Sequence, residues 1–306
     1  MSYNYLPLDS KPLQFQQIKH LLDYNQLVSI TFDAHEKIMT CRAFLDQKMK
    51  ETGKMYYGVN TGFGFLQNVQ ISHDQIEQLQ YNLIVSHSCG LGEEVPKDII
   101  KLMMMLKIKQ LSYGHSGVQI NTVIRLMDMY NQDILPVIYT QGSLGASGDL
   151  APLSHLSLPL LGLGEVYYQE KKWPAKEVLK IMNWEPIHLQ SKEGLALING
   201  TQFMNAYGLY CLKKAEQLLK MADLIAALSI EAFDCLLEPY HPAIHQIRGH
   251  QGQIDTAAAL RCFLAGSEIA QQPKKQVQDP YSFRCIPQVH GASKDAFKHV
   301  LKIFMQ

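Results

Sequence analysis

Apolar positions recur along most of this chain at helical spacing. In residues 33–51, Ile38, Cys41, Leu45 and Met49 fall on one stripe, which predicts an amphipathic helix with one buried face. Ser72 and Gln75 stand three apart ahead of an apolar run, a capping-box pattern. The helix it opens is expected to reach about Cys89, with Gly90 free to end it. Pro96 suits the first residue of the next helix and Gly114 its stop. The helical period lapses in residues 163–173, where Val166-Tyr167-Tyr168 predicts a short hairpin.

Residues 199–237 predict one long helix, stopped at Pro239. Between Met221 and Leu237 only Asp223, Glu231 and Asp234 carry charge, and apolar groups occur on every face. The uncharged run Leu224–Ile230 falls far short of the about 20 apolar residues that span a bilayer. A helix apolar all round is expected to be buried on all sides, at the centre of a helical bundle that subunits can share. The expected fold is therefore all-α, mainly helical. A globular N-terminal region (1–195) carries the loops, and the long helices of a central bundle (196–306) follow. Ala292–Gln306 keeps a helical period through Ala296, Val300 and Phe304, then stops without Gly, Pro or a polar tail, as if cut off.

Composition narrows the class. With 306 residues and 47% hydrophobic content, the chain can bury a large core. Its 28 Lys and Arg balance 28 Asp and Glu, so nothing pulls it toward nucleic acid or an acidic membrane surface. Cys41, Cys89, Cys211, Cys235, Cys262 and Cys285 are scattered with no CxxC pair, so neither a zinc ribbon nor a disulfide framework is expected. Reduced thiols in cytoplasm are the simpler reading. The opening MSYNYLPLDSKP lacks the basic and apolar regions of a secretory signal, so the Asn199-Gly200-Thr201 sequon is not expected to be glycosylated.

Three polar or glycine-rich stretches interrupt the helices. Tyr57–Gly64 (YGVNTGFG) combines glycines that permit tight backbone with the polar groups of Tyr57 and Asn60; taken alone, it is an ordinary loop. Gln141–Leu150 (QGSLGASGDL) is not a G-x-S-x-G elbow, because Asp149 stands where the last glycine belongs. Nor does the chain hold a phosphate loop or a G-x-G-x-x-G fingerprint. What remains is Ala146-Ser147-Gly148: a small side chain, a hydroxyl that can leave as water, and an unhindered glycine nitrogen, as a backbone cyclisation requires. In Gln278–Val289 (QDPYSFRCIPQV), Tyr281 and Arg284 share one face if the segment is helical. They could serve as proton carrier and carboxylate clamp, or merely as a packed tyrosine and a helix-start ion pair.

GVNTGFG, NLIVSHSCG, GSLGASGDLAPLSH, KEGLALINGTQ and QDPYSFRCIPQV follow one another in the order seen in the aromatic amino-acid lyases. The chain resembles that family from about Tyr57 to its end. INGTQ together with QDPYS-x-RC-x-PQV resembles the branch that acts on histidine.

The resemblance implies a chemistry and a set of roles. Ala146, Ser147 and Gly148 would cyclise with loss of two waters to a methylidene-imidazolone, an electrophile needing no external cofactor and no metal. L-histidine would lose ammonia to give urocanate. Tyr57 would take the β-proton, with Tyr281 beside the site; because free tyrosine has a pKa near ~10, that role demands a site that stabilises phenolate. Arg284 would bind the substrate carboxylate, and Asn199 and Gln278 would hold electrophile and substrate by hydrogen bonds. His87 would face the substrate ring, suiting imidazole or phenol better than phenyl, although a lone histidine near a helix end is more often a capping residue.

The expected partner is a small amino-acid substrate, with neither nucleic acid nor membrane, in a cytoplasmic homo-oligomer (a tetramer in the family). Family members continue beyond the QDPYSFRC segment through more long helices, which supply an acidic and an aromatic pocket residue, and their sites draw on three subunits. Two alternatives therefore stay open: a tyrosine lyase or aminomutase, and a truncated, non-catalytic remnant.

Overall fold

A computed structural model describes residues 5–50 and 54–306. Met1–Asn4, which open the stretch read for a leader, and Glu51, which closes the first predicted helix, lie outside them. The chain divides into two compact units, the first ending at Tyr207 and the second running from Gly208 to Gln306.

The first unit begins with β1 (Leu6–Leu8), α1 (Phe15–Tyr24) and β2 (Val28–Ile30); β1 and β2 pair in parallel. Helix α2 (Phe32–Met49) is capped by Thr31, whose hydroxyl accepts from the Ala34 amide at 3.2 Å. Of the predicted stripe, Ile38 is buried and Cys41, Leu45 and Met49 are half-buried; Ala34 and Arg42 are buried as well. Hydrophobic periodicity has no means of finding Arg42. Its guanidinium is buried because it donates to the carbonyls of Gly117 (2.8 Å) and Ser191 (2.9 Å) and pairs with Asp46.

The expected capping box at Ser72 does not form: His73–Gln75 is a 3-10 turn with no side-chain cap, and α3 runs Ile76–His87. Nor does α3 reach Cys89. The imidazole of His87 donates to the Leu83 carbonyl (2.8 Å) and the Ser88 hydroxyl to that of Ile84 (2.9 Å), so side chains occupy the carbonyls a further turn would need. The chain then enters β3 (Leu91–Glu94).

Helix α4 (Lys97–Ser112) is the spine of the unit, with Ile99, Ile100, Leu102, Met103, Met104, Met105, Ile108 and Leu111 buried. Pro96 sits just outside its first turn, and Gly114 at φ +72° ends it. There follow α5 (Ile120–Asn131), β4 (Leu135–Pro136), β5 (Tyr139–Gln141) and α6 (Leu150–Ser157). The predicted hairpin is β6 (Glu165–Tyr168) with β7 (Lys171–Pro174), turned by Gln169 and Glu170 at positive φ; β4 pairs on its outer side. After α7 (Ala175–Ile181), α8 (Glu193–Ile198) opens with a fully buried glutamate. The Glu193 carboxylate accepts from the Gln119 amide (2.8 Å) and side chain (2.6 Å), Thr122 Oγ1 (2.7 Å) and the Gln190 amide (2.7 Å), tying the start of α5 to α8.

The long helix is α9 (Gln202–Ala232), shorter at both ends than 199–237. Asn199–Thr201 forms a turn around Gly200 at φ +146°, and Asp234 at φ +58° follows the helix end. In the second unit α9 is joined by α10 (Pro242–Gln246), α11 (Gln251–Phe263), α12 (Glu268–Gln271), α13 (Tyr281–Arg284) and α14 (Ile286–Phe304). Ala226, Ala227, Ile230, Cys235, Tyr240, Leu260, Leu264 and Ile286 form one core. Helices α11 and α14 meet backbone to backbone, since a Cβ on Gly252 would lie 2.2 Å from the Gly291 oxygen.

Burial of α9 on every side is not what a single chain provides. Leu218, Met221, Ile225 and Leu228 form an exposed apolar stripe opposite the face of Ala226, Ala227 and Ile230. Among the described residues no helix is long and apolar enough to cross a membrane.

Candidate active site

Helices α3, α6 and α8 pack against one another and present their ends to one loop, Gly142–Asp149. Strand β5 leads into the loop and α6 leads out. The entry is fixed by antiparallel pairing of β5 with β3, Leu91 opposite Gln141. There Gly142 (φ +136°) approaches Gly90 so closely that a Cβ would lie 3.1 Å from its Cα. The exit is fixed at Gly200. A Cβ on Gly148 (φ +115°) would lie 2.6 Å from the Gly200 oxygen and 2.8 Å from its nitrogen, and the Asp149 amide donates to the Gly200 carbonyl at 2.8 Å. Two glycine-to-glycine contacts therefore hold the loop at its two ends. Between them Ala146 and Ser147 are exposed in the single chain.

Asp149 is fully buried and closes the loop on itself. Its carboxylate accepts from Ser143 Oγ (3.0 Å) and from the Met204 amide in the first turn of α9 (3.0 Å). His155, on α6, accepts the Gly90 amide at Nε2 (3.0 Å), which puts its proton on Nδ1. Burial holds the His155 pKa below the usual histidine value, so the ring keeps the neutral form this bond requires.

His87 stands three residues before Gly90, half-buried at the end of α3. Its bond to the Leu83 carbonyl fixes a proton on Nδ1, so in the neutral ring Nε2 is the acceptor. Asn199 caps α8 and donates from Nδ2 to the Leu195 carbonyl (3.0 Å), leaving Oδ1 to accept. Leu195 also abuts the Tyr57 loop: a Cβ on Gly58 would lie 2.4 Å from Leu195 Cδ2. Tyr57 is 58% exposed, its oxygen accepting from the Gly64 amide at 3.4 Å. The first unit thus brings the segments of Ser147, His87 and Asn199 into direct contact, and that of Tyr57 one side chain away.

Gln278, Tyr281 and Arg284 form a cluster within the second unit. The Arg284 guanidinium lies 4.4 Å from the centre of the Tyr281 ring, and Nε donates to the Asp279 carbonyl at 2.7 Å. With its amide oxygen turned inward, Gln278 accepts from the same guanidinium at 2.7 Å and 3.2 Å. Gln278 and Arg284 line a cavity of about 510 Å³ with Leu236, Pro239, Ile244 and Gln288. Single-turn α13 does put Tyr281 and Arg284 on one face, but as a cation–π stack with an exposed ring, not a packed tyrosine beside an ion pair.

Sequence reasoning overlooked His155 and Lys107. His155 lay inside a quoted motif, and only the fold shows that it bonds the segment carrying His87. Lys107 had one signal, a lysine amid the apolar run of α4.

The aromatic amino acid lyase family pattern matches residues 13–306. The histidine ammonia-lyase of Deinococcus radiodurans is 45% identical over 296 residues, covering 96% of this chain and 56% of that protein. Among solved structures, histidine ammonia-lyase from Trypanosoma cruzi superposes with a TM-score of 0.87 at 36% identity, over 98% of this chain and 56% of that one. The ergothionase of Treponema denticola superposes with a TM-score of 0.93 at 29% identity, over 99% and 61%. The chain thus spans little more than half the length of the proteins it matches. From the family pattern and these identities, the chain belongs to the aromatic amino acid lyases.

Proposed function

We propose that this chain carries much of the active site of an ammonia-lyase that converts L-histidine to urocanate and ammonia. The observation that carries the reading is the loop Gly142–Asp149, held between Gly90 and Gly200 with Ala146 and Ser147 exposed just ahead of the pinned Gly148. The site fits a methylidene-imidazolone built from those three residues. Gly148 sits in a cradle that a Cβ would fill, and a glycine nitrogen has no neighbouring side chain of its own to obstruct attack on the Ala146 carbonyl carbon. In the closure the Ala146 oxygen leaves with the two amide hydrogens of Ser147 and Gly148, and the Ser147 hydroxyl leaves with its α-hydrogen. Once formed, the group would supply an electrophilic alkene for activating the substrate amine as a leaving group. No external cofactor enters this scheme.

The remaining residues bind, orient and move a proton. Arg284, pre-oriented by Gln278, Asp279 and the Tyr281 ring, pairs with the substrate carboxylate. Tyr57 accepts the β-proton, with Tyr281 the second phenol assigned to proton transfer, and Asn199 Oδ1 accepts from substrate or electrophile. In its neutral form His87 accepts the N–H of a substrate imidazole at Nε2. The exposed stripe of α9 is covered by further copies in a cytoplasmic homotetramer.

The test is kcat/KM for L-histidine, L-tyrosine and L-phenylalanine, before and after His87→Phe. Histidine is expected to be preferred. The substitution should lower its kcat/KM roughly ten- to a hundredfold, as a hydrogen bond lost in a desolvated site does. Preference for tyrosine by the unmodified protein would overturn the assignment.

A further inference from the structure

The turn between α8 and α9 carries Asn199, and its Gly200 is the surface against which Gly148 rests. What holds this turn from the side of α4 is Lys107. The side chain is fully buried, and Nζ donates to the carbonyls of Ala196 (2.7 Å) and Asn199 (3.0 Å) and to Gln110 Oε1 (2.9 Å). Both carbonyls lie at the end of α8, where a helix lacks backbone donors. Gln110 Oε1 accepts in turn from Nε2 of Gln202, the first residue of α9 (3.1 Å). One ammonium therefore grips the end of α8 directly and the start of α9 through a single amide. In the protonated form its three N–H bonds match three acceptors.

A lysine fully buried on a helix as apolar as α4 is costly unless its bonds matter, and burial pulls the Lys107 pKa down to about 7. An apolar side chain of the same length would fill the space on α4. It would leave the Ala196 and Asn199 carbonyls without a donor.

We propose that Lys107 is a positioning residue for the electrophile-forming loop: by fixing the Ala196 and Asn199 carbonyls it sets Gly200 against Gly148 and aims the Asn199 amide. The inference rests on the reading of Ala146–Gly148 given above. Lys107 touches neither substrate nor the reacting atoms. Its effect falls chiefly on how readily the three residues close and on turnover, and far less on substrate affinity.

The test compares the intact protein with Lys107→Met, Lys107→Arg and Gln110→Leu. For each, mass spectrometry gives the fraction of chains lighter by two waters, and kinetics with histidine gives kcat and KM. Lys107→Met is expected to lower both the converted fraction and kcat by about tenfold or more, with KM within about threefold of wild type. Lys107→Arg, which keeps the donors, should restore a substantial part of both. Gln110→Leu should move them in the same direction by a smaller factor. A folded Lys107→Met protein converted and active within about twofold of wild type overturns the inference. If Lys107→Met does not fold, an unaltered Gln110→Leu overturns it. Wild type that shows neither mass loss nor turnover overturns the reading of the site and this inference with it. A converted, active wild type beside an unaffected Lys107→Met overturns the inference alone.

Discussion

Gly148→Ala isolates the contact on which the site depends. At φ +115° an L side chain is strained whatever space surrounds it; residues held in such backbone regions cost about 1–3 kcal/mol. Space is lacking as well. The new methyl would meet the Gly200 backbone at 2.6 Å and 2.8 Å, where ordinary contact begins at 3.4 Å. Backbone, not a flexible side chain, would have to yield. Moving Gly200 stretches the bond from the Asp149 amide, a loss of about 1 kcal/mol.

The sum, about 2–4 kcal/mol, falls on the loop that must close, and would slow closure roughly thirty- to several-hundredfold. Gly145→Ala provides the contrast. Gly145 also has positive φ (+79°), but nothing lies within 4 Å of its Cβ position. Strain alone, about 1–2 kcal/mol, limits that variant to roughly a five- to thirtyfold slowing. The assay is the time course of the two-water mass loss after expression, with thermal unfolding to confirm that both variants fold. Gly148→Ala converting as fast as Gly145→Ala would refute the claim that Gly200 shapes the reactive turn.

Other outcomes follow from the same structure. Glu193→Gln presents a donor to a nest of four donors, and should lower the stability of the first unit by roughly 2–4 kcal/mol in a urea titration; an unchanged midpoint would contradict the assignment. His155 and His245 have folded-state pKa values lowered by burial, so the unfolded chain binds protons more readily. Stability is therefore full above the unfolded value near ~6.5 and declines as pH falls below it. Unfolding temperatures from pH 7.5 to 5 check this, and His245→Gln should flatten the decline. Leu228→Glu on the exposed stripe of α9 should shift the light-scattering mass toward the monomer while the far-UV circular dichroism stays unchanged.

What the sequence disclosed and what it hid divide along physical lines. Local signals with a single cause were legible: the stripe through Ile38, the stop at Gly114 and the 163–173 hairpin all reflect the energetics of one short segment. Ser72 makes no side-chain cap, and at the other end of the segment α3 stops early where side-chain bonds of His87 and Ser88 to nearby carbonyls compete with further helix. No hydrophobic pattern registers that competition.

The Ala146–Gly148 turn was legible as residue types, and its neighbours as motifs. That Gly142 meets Gly90 and Gly148 meets Gly200 was not, because such contacts join segments far apart in the chain and leave no periodicity. Arg42 and Lys107 escaped for a related reason: each is a charge buried to serve backbone carbonyls of a distant segment. Residue type alone places such groups on the surface. The apolar faces of α9 were read correctly as hydrophobic, but a single chain covers only one of them.

The measurement that bears most directly on this account is the mass of the purified protein, followed by that of the peptide containing Ala146–Gly148. The account predicts that this peptide is lighter than its sequence by two waters, that the rest of the chain has its full mass, and that Ser147→Ala abolishes the difference. A full-mass peptide from a folded preparation that turns over histidine would contradict it.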